Sequence, residues 1–138
     1  MIYSKIIGVG NYLPKKILTN DDLSNIVDTS DSWIFSRTGI KQRHIADDGE
    51  YTSDLAIMAA KDALNNAQIS SKKIDYINCA TTTPDRTFPA TACKLQNYFK
   101  IATIPTFDIQ AVCSGFIYSL HVADALIKSQ KAKYILVV

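Results

Sequence analysis

The chain has 138 residues, 47% of them apolar, and its 15 basic and 13 acidic side chains leave a net charge of +2. That apolar share excludes a disordered chain, and the near-balance of charge excludes a nucleic-acid binder that works by bulk charge. Three scattered cysteines without a CxxC pair argue against a disulfide framework or a zinc site. The absence of a signal-peptide core or of any apolar run near ~18 residues leaves a soluble, cytoplasmic protein with no membrane partner as the expectation.

Short apolar stretches alternate with helical ones. Residues 3–9 (YSKIIGV) read as a strand. Two short helices follow over 20–28 and 30–36, with Thr19 or Asn20 and then Thr29 or Ser30 as caps. Residues 41–46 alternate as a short strand. Residues 54–67 carry an alanine-rich apolar stripe at helical spacing, which lets a helix lie close against its neighbours. A strand is predicted over 74–80, a helix over 91–99 and a strand over 105–112. The helix over 114–129 is apolar on most sides and is therefore expected to be buried. The closing YILVV reads as a central strand covered on both faces. Strands alternating with helices predict an α/β fold with a mostly parallel sheet.

Cys113, in DIQAVCSGFIYSL, falls where a buried strand meets a helix. The first-turn amides and the positive end of the helix dipole favour a nucleophilic thiolate there, and Ser114 and Gly115 are small enough to admit a substrate. An inert packing cysteine is the competing reading, and position alone leaves the two about equal. Cys79 and Cys93 read as packing residues. His121 lies two turns after Cys113, ~12 Å along the axis, too far for a direct dyad. His44 reads as structural. The GVG at 8–10 lacks the glycine-rich helix start of a dinucleotide site. Trp33 and Arg37, four apart on a helix, put an aromatic face and a cation on one side, suited to an adenine and a phosphate; a partly buried Trp with a surface ion pair is the plainer reading.

The stretches KIIGVGNYLP (5–14), DTSDSWIFSRTGIKQRHIA (28–46), ATTTPDRTFPATAC (80–93) and DIQAVCSGFIYSL (108–120) together resemble the N-terminal part of β-ketoacyl-acyl-carrier-protein synthase III, the condensing enzyme that starts bacterial type II fatty-acid synthesis. They run in family order along essentially the whole chain. The resemblance implies a thiolase-like fold of which residues 1–138 form an incomplete N-terminal half. It also implies a homodimer and an acyltransferase that joins acetyl from acetyl-CoA to malonyl-acyl-carrier protein with loss of CO₂. Coenzyme A thioester would be substrate, with no cofactor and no metal. Carried over by motif, Cys113 would accept the acyl group and its own amide would serve the oxyanion. Trp33 would stack on the adenine, Thr29 and Arg37 would contact the nucleotide part, and Phe88 would reach across the dimer into the partner's acyl pocket. The family's catalytic His and Asn match nothing here, so residues 1–138 alone are expected to be inactive in condensation. Another thiolase-fold condensing enzyme, and a non-catalytic α/β nucleotide- or partner-binding module, are the alternatives.

Overall fold

A computed structural model of the chain describes residues 2–101 and 103–138. The chain divides into two compact units. One is Leu13–Glu50; the other combines the residues up to Tyr12 with Tyr51–Val138.

In the smaller unit, β1 (Lys16–Thr19) pairs antiparallel with β2 (Gln42–Ile45), Lys16 opposite Ile45 and Thr19 opposite Gln42. Thr19 ends β1 and caps α1 (Asn20–Ser24). Its hydroxyl accepts from the Asp22 amide at 3.1 Å while the Asp22 carboxylate accepts from the Thr19 amide at 2.9 Å, a reciprocal pair that starts a helix of only five residues. Helix α2 (Asp31–Thr38) begins at Ser30, which accepts from the Trp33 amide. It stops at Gly39, whose φ of +71° is left-handed and whose amide donates to the Phe35 carbonyl. Only Pro14 and Asn20 are buried in this unit.

The larger unit is built on a three-stranded parallel sheet in the order β4–β3–β5, with β3 (Tyr76–Ala80) in the middle, β4 (Thr106–Ile109) and β5 (Ile135–Val137). Helix α4 (Thr91–Tyr98) connects β3 to β4 and α5 (Gly115–Lys128) connects β4 to β5. These connections travel in opposite directions along the sheet, so two right-handed crossovers must place their helices on opposite faces. The side chains of β3 bear this out. Ile77 and Cys79 join Ala56, Ala60 and Leu64 of α3 (Thr52–Ala67) and Ala92 and Leu95 of α4 in one buried cluster, while Ala80, on the alternate face, meets α5 at Gly115.

Carboxylates from one element close the backbone of another. Ala90, ahead of α4, offers no side-chain cap, and Asp108 of β4 accepts instead from the Thr91 amide at 2.7 Å and the Ala92 amide at 2.9 Å. Asp85 likewise accepts from the Ser53 amide at the start of α3, and Asp75 from the amides of Lys133 and Tyr134 ahead of β5.

Three expectations need correction. Residues 3–9 form no regular strand. The segment runs along α3, with the Val9 amide on the Asn66 side chain and the Asn11 amide on Asp62. A Cβ on Gly8 would fall 2.5 Å from the Ala63 carbonyl oxygen, and one on Gly10 would fall 2.5 Å from that of Ala59, so GVG is a contact seam against the alanines of α3. Helix α5 is not buried on all sides. Gly115, Ser119 and Ala123 are its buried residues, one turn apart, whereas Phe116, Ile117 and Tyr118 are each about half exposed. Finally, β5 lies at an edge of the described sheet rather than at its centre.

Candidate active site

The C-terminal ends of parallel strands are where an α/β sheet presents its loops for chemistry. Two such loops meet the end of this sheet. Between β4 and α5 a single 3₁₀ turn, Val112–Ser114, carries Cys113 with its side chain exposed. The residue before it, Val112, adopts φ +47°, a left-handed conformation that a β-branched residue takes only under constraint, at a cost of about 1–3 kcal/mol. Gly115 opens the helix immediately after. A Cβ there would approach Ala80 Cβ to 3.3 Å, so its absence lets α5 start close against β3.

The second loop, residues 81–90, leaves β3 beside the end of β4, where the Thr81 amide donates to the Ile109 carbonyl. It carries Phe88, which is 86% exposed and precedes a cis Phe88–Pro89 peptide. Both its flanks are tied down. Asp85 holds Ser53 on one side and pairs with Lys94 at 2.6 Å on the other, and the loop runs into the α4 start that Asp108 holds. Burial works against the Asp85 charge, but the hydrogen bonds from Lys94 and Ser53 outweigh it and keep this carboxyl below the usual aspartate range.

Of the three cysteines, only Cys113 is exposed. Cys79 is buried in the core cluster, where desolvation, with the nearby Asp108 and Asp85, pushes its thiol up to about 12, so it packs as expected. Cys93 sits 3.2 Å from the Thr106 hydroxyl. The His121 ring nitrogen faces the Ile117 carbonyl of its own helix at 3.1 Å, and His44 faces the Pro14 carbonyl within the smaller unit. Among the described residues no group of three or more His, Cys, Asp or Glu side chains could hold a metal, and no described helix is long and apolar enough to cross a membrane.

The nucleotide candidates all lie in the smaller unit. Trp33 is 54% exposed, and the Arg37 guanidinium lies over its ring with the central carbon 4.3 Å from the centroid. The i,i+4 spacing therefore does place cation and aromatic together, with Trp33 still about half exposed. The Thr29 hydroxyl oxygen is buried without a hydrogen-bond partner, one residue before the Ser30 cap. Asp85, Asp108 and the backbone of Val112 carry no local sequence motif that marks them. An aspartate between Phe107 and Ile109 in a short strand is a signal that could have found Asp108, because a half-buried carboxylate needs donors.

A parallel sheet with a cysteine on the turn into a crossover helix, covered on its other face by α3 and α4, is the thiolase-like fold of the condensing enzymes. Residues 107–138 match the family model for 3-oxoacyl-[acyl-carrier-protein (ACP)] synthase III. The β-ketoacyl-[acyl-carrier-protein] synthase III of Rickettsia canadensis is 57% identical over 134 residues, which is 97% of this chain and 42% of that protein. Its counterpart from Thiobacillus denitrificans is 56% identical over 139 residues, 100% of this chain and 44% of that protein. The crystal structure of 3-oxoacyl-[acyl-carrier-protein] synthase III from Aquifex aeolicus superposes with a TM-score of 0.93 at 55% identity, covering 96% of this chain and 43% of that one. The chain belongs to the β-ketoacyl-acyl-carrier-protein synthase III family. It spans about two fifths of the length of these relatives.

Proposed function

We propose that the chain carries the acyl-accepting cysteine and the nucleotide-binding helix of a β-ketoacyl-acyl-carrier-protein synthase III. The observation that supports this most directly is the exposed Cys113 on the turn into α5, in a chain 57% identical to such a synthase. In the first half-reaction the Cys113 thiolate attacks the carbonyl of acetyl-CoA. The carbonyl oxygen takes up negative charge, for which the backbone amide of Cys113 is the donor this segment can supply. Collapse of that intermediate breaks the bond to the coenzyme A sulfur, and the coenzyme A thiolate leaves. In the second, the malonyl thioester on acyl-carrier protein loses CO₂, and the carbon so released attacks the acetyl-cysteine. Acetoacetyl-acyl-carrier protein forms and the Cys113 thiolate is regenerated.

In this reading Trp33, half exposed, stacks on the adenine, and Arg37 and Thr29 serve the polar parts of the nucleotide. Phe88, almost fully exposed on a loop anchored at both ends, suits a residue that completes its partner's acyl pocket in a homodimer. No histidine near Cys113 is supplied by its own helix, since His121 faces a main-chain carbonyl. Residues 1–138 are therefore expected to accept acetyl without completing condensation.

The test is incubation with acetyl-CoA followed by peptide mass analysis. An acetyl group on the Cys113 peptide, lost in Cys113→Ser with folding unchanged, is the expected result. Equal labelling of Cys93 or Cys79, or none at Cys113, removes the assignment. Acetoacetyl product from this chain alone would overturn the division of the two steps.

A further inference from the structure

The smaller unit has a single buried polar side chain, Asn20, 1% exposed, and every polar atom of that side chain is engaged. Its Nδ2 donates to Asp31 Oδ1 at 2.8 Å and to the Ile40 carbonyl at 2.7 Å. Its Oδ1 accepts from Arg43 Nη2 at 2.8 Å, and Arg43 Nη1 reaches on to the Leu18 carbonyl at 3.1 Å. The Asn20 amide donates to the Lys41 carbonyl. One side chain thus joins the end of β1, the first residue of α2, the segment after α2 and, through Arg43, β2. Asp31 and Ile40 bracket the helix that carries Trp33 and Arg37. Neither end of α2 has an apolar anchor of its own, since none of its residues is buried.

We propose that Asn20 is a positioning residue for nucleotide recognition: it fixes both ends of α2 and so holds the Trp33–Arg37 pair in the geometry that accepts an adenine nucleotide. The inference rests on the reading of Trp33 and Arg37 given above. The chemistry required at position 20 is specific. A neutral amide supplies two donors to a carboxylate and a carbonyl and an acceptor to a guanidinium in one plane. A carboxylate at that position would keep the Arg43 contact but set negative charge against Asp31 and against the Ile40 carbonyl oxygen.

The experiment uses Trp33, the only tryptophan in the chain, as the reporter, and coenzyme A as the titrant. Asn20→Leu and Asn20→Asp should each shift Trp33 emission and raise its accessibility to acrylamide, and should weaken coenzyme A by about tenfold, the loss expected when a binding pair is no longer held in place. The double variant Asn20→Asp/Asp31→Asn restores an amide facing a carboxylate at the start of α2 but leaves the Ile40 carbonyl without its donor, and should recover part of the emission shift and part of the lost affinity. Asp31→Ala guards against simple unfolding. Asp31 is exposed, so its loss leaves the rest of the unit in place, yet the same emission shift should follow with a weakening of about threefold. Unchanged Trp33 emission in Asp31→Ala and the Asn20 variants overturns the proposal, as does a double variant no better than Asn20→Asp. If Trp33→Ala leaves coenzyme A affinity unaltered while the Asn20 variants shift emission, the nucleotide reading fails and the positioning of α2 stands.

Discussion

The two units of this chain reach order by different physics. The larger one removes Ile77, Cys79, Ala92, Leu95 and their neighbours from water in one cluster, and uses Asp85, Asp108 and Asp75 to satisfy the backbone where helices and strands begin. The smaller one has no such cluster. It relies on a two-stranded pairing, two helix caps and the Asn20 knot, while Ile17, Ile26, Val27 and Ile40 remain exposed. Apolar burial is non-directional and tolerates small shifts, whereas a hydrogen-bond knot specifies one geometry through the directions of its donors and acceptors. A cysteine on an elbow needs a rigid platform, which a sheet with a packed core supplies. A stacking pair on a helix needs orientation, which the knot supplies.

The largest effect expected from breaking this contrast is on the apolar side. Leu95→Ala should cost about 2–5 kcal/mol in denaturant unfolding, because the site is fully closed and cannot easily collapse. A loss below about 1 kcal/mol, typical of surface sites, would show that the cluster does not carry the larger unit. Asp108→Asn should cost about 1.5–3 kcal/mol by the same measurement, since two backbone amides lose a charged acceptor.

Asp85 makes the same kind of tie and adds a signature in pH. Its carboxyl is held below the ordinary aspartate value of 3.8, so its contribution is complete above that value and is lost as pH falls through the lower, folded value. Unfolding free energy followed into acid should therefore fall more steeply for the natural chain than for Asp85→Asn. Parallel curves would remove Asp85 from the account.

On the polar side, Trp33→Ala should weaken coenzyme A by about 1–2 kcal/mol in a titration, the worth of a stacked, partly desolvated aromatic. Unchanged affinity would return Trp33 to a partner of Arg37 alone. Thr19→Ala, which dismantles the reciprocal cap of α1, should cost about 1 kcal/mol of the smaller unit's stability, read by hydrogen exchange at the α1 amides. Protection left as it was would show that Asn20 and not the cap holds this turn.

How much was legible beforehand follows from how local each signal is. Helix starts at Thr19 and Ser30, the long α3, the strand around Ile77 and the placement of Cys113 between a strand and a helix are written in neighbouring residues, because caps and periodicity act within one or two turns. Packing of Cys79 was legible too, from its place within the strand IDYINCA. The strand Lys16–Thr19 was not: four residues with one lysine have no period of their own and become a strand only by pairing with Gln42–Ile45, far along the chain.

Local pattern is enough for the alternation of helices and strands along the chain, for the α/β class, and for the cysteine and the Trp–Arg pair as residues of interest. What each of them faces depends on long-range packing. It made GVG a seam against Ala59 and Ala63 instead of a strand, and turned Gly115, Ser119 and Ala123 into the buried line of α5 while leaving Phe116, Ile117 and Tyr118 about half exposed. It made Asp85 and Asp108 caps for helices that lack their own, and set Asn20 at the junction of four segments. The reason is common to all of these: a carboxylate, an amide or a small side chain takes its role from partners many residues away, and no local pattern specifies which amide or which backbone will arrive beside it.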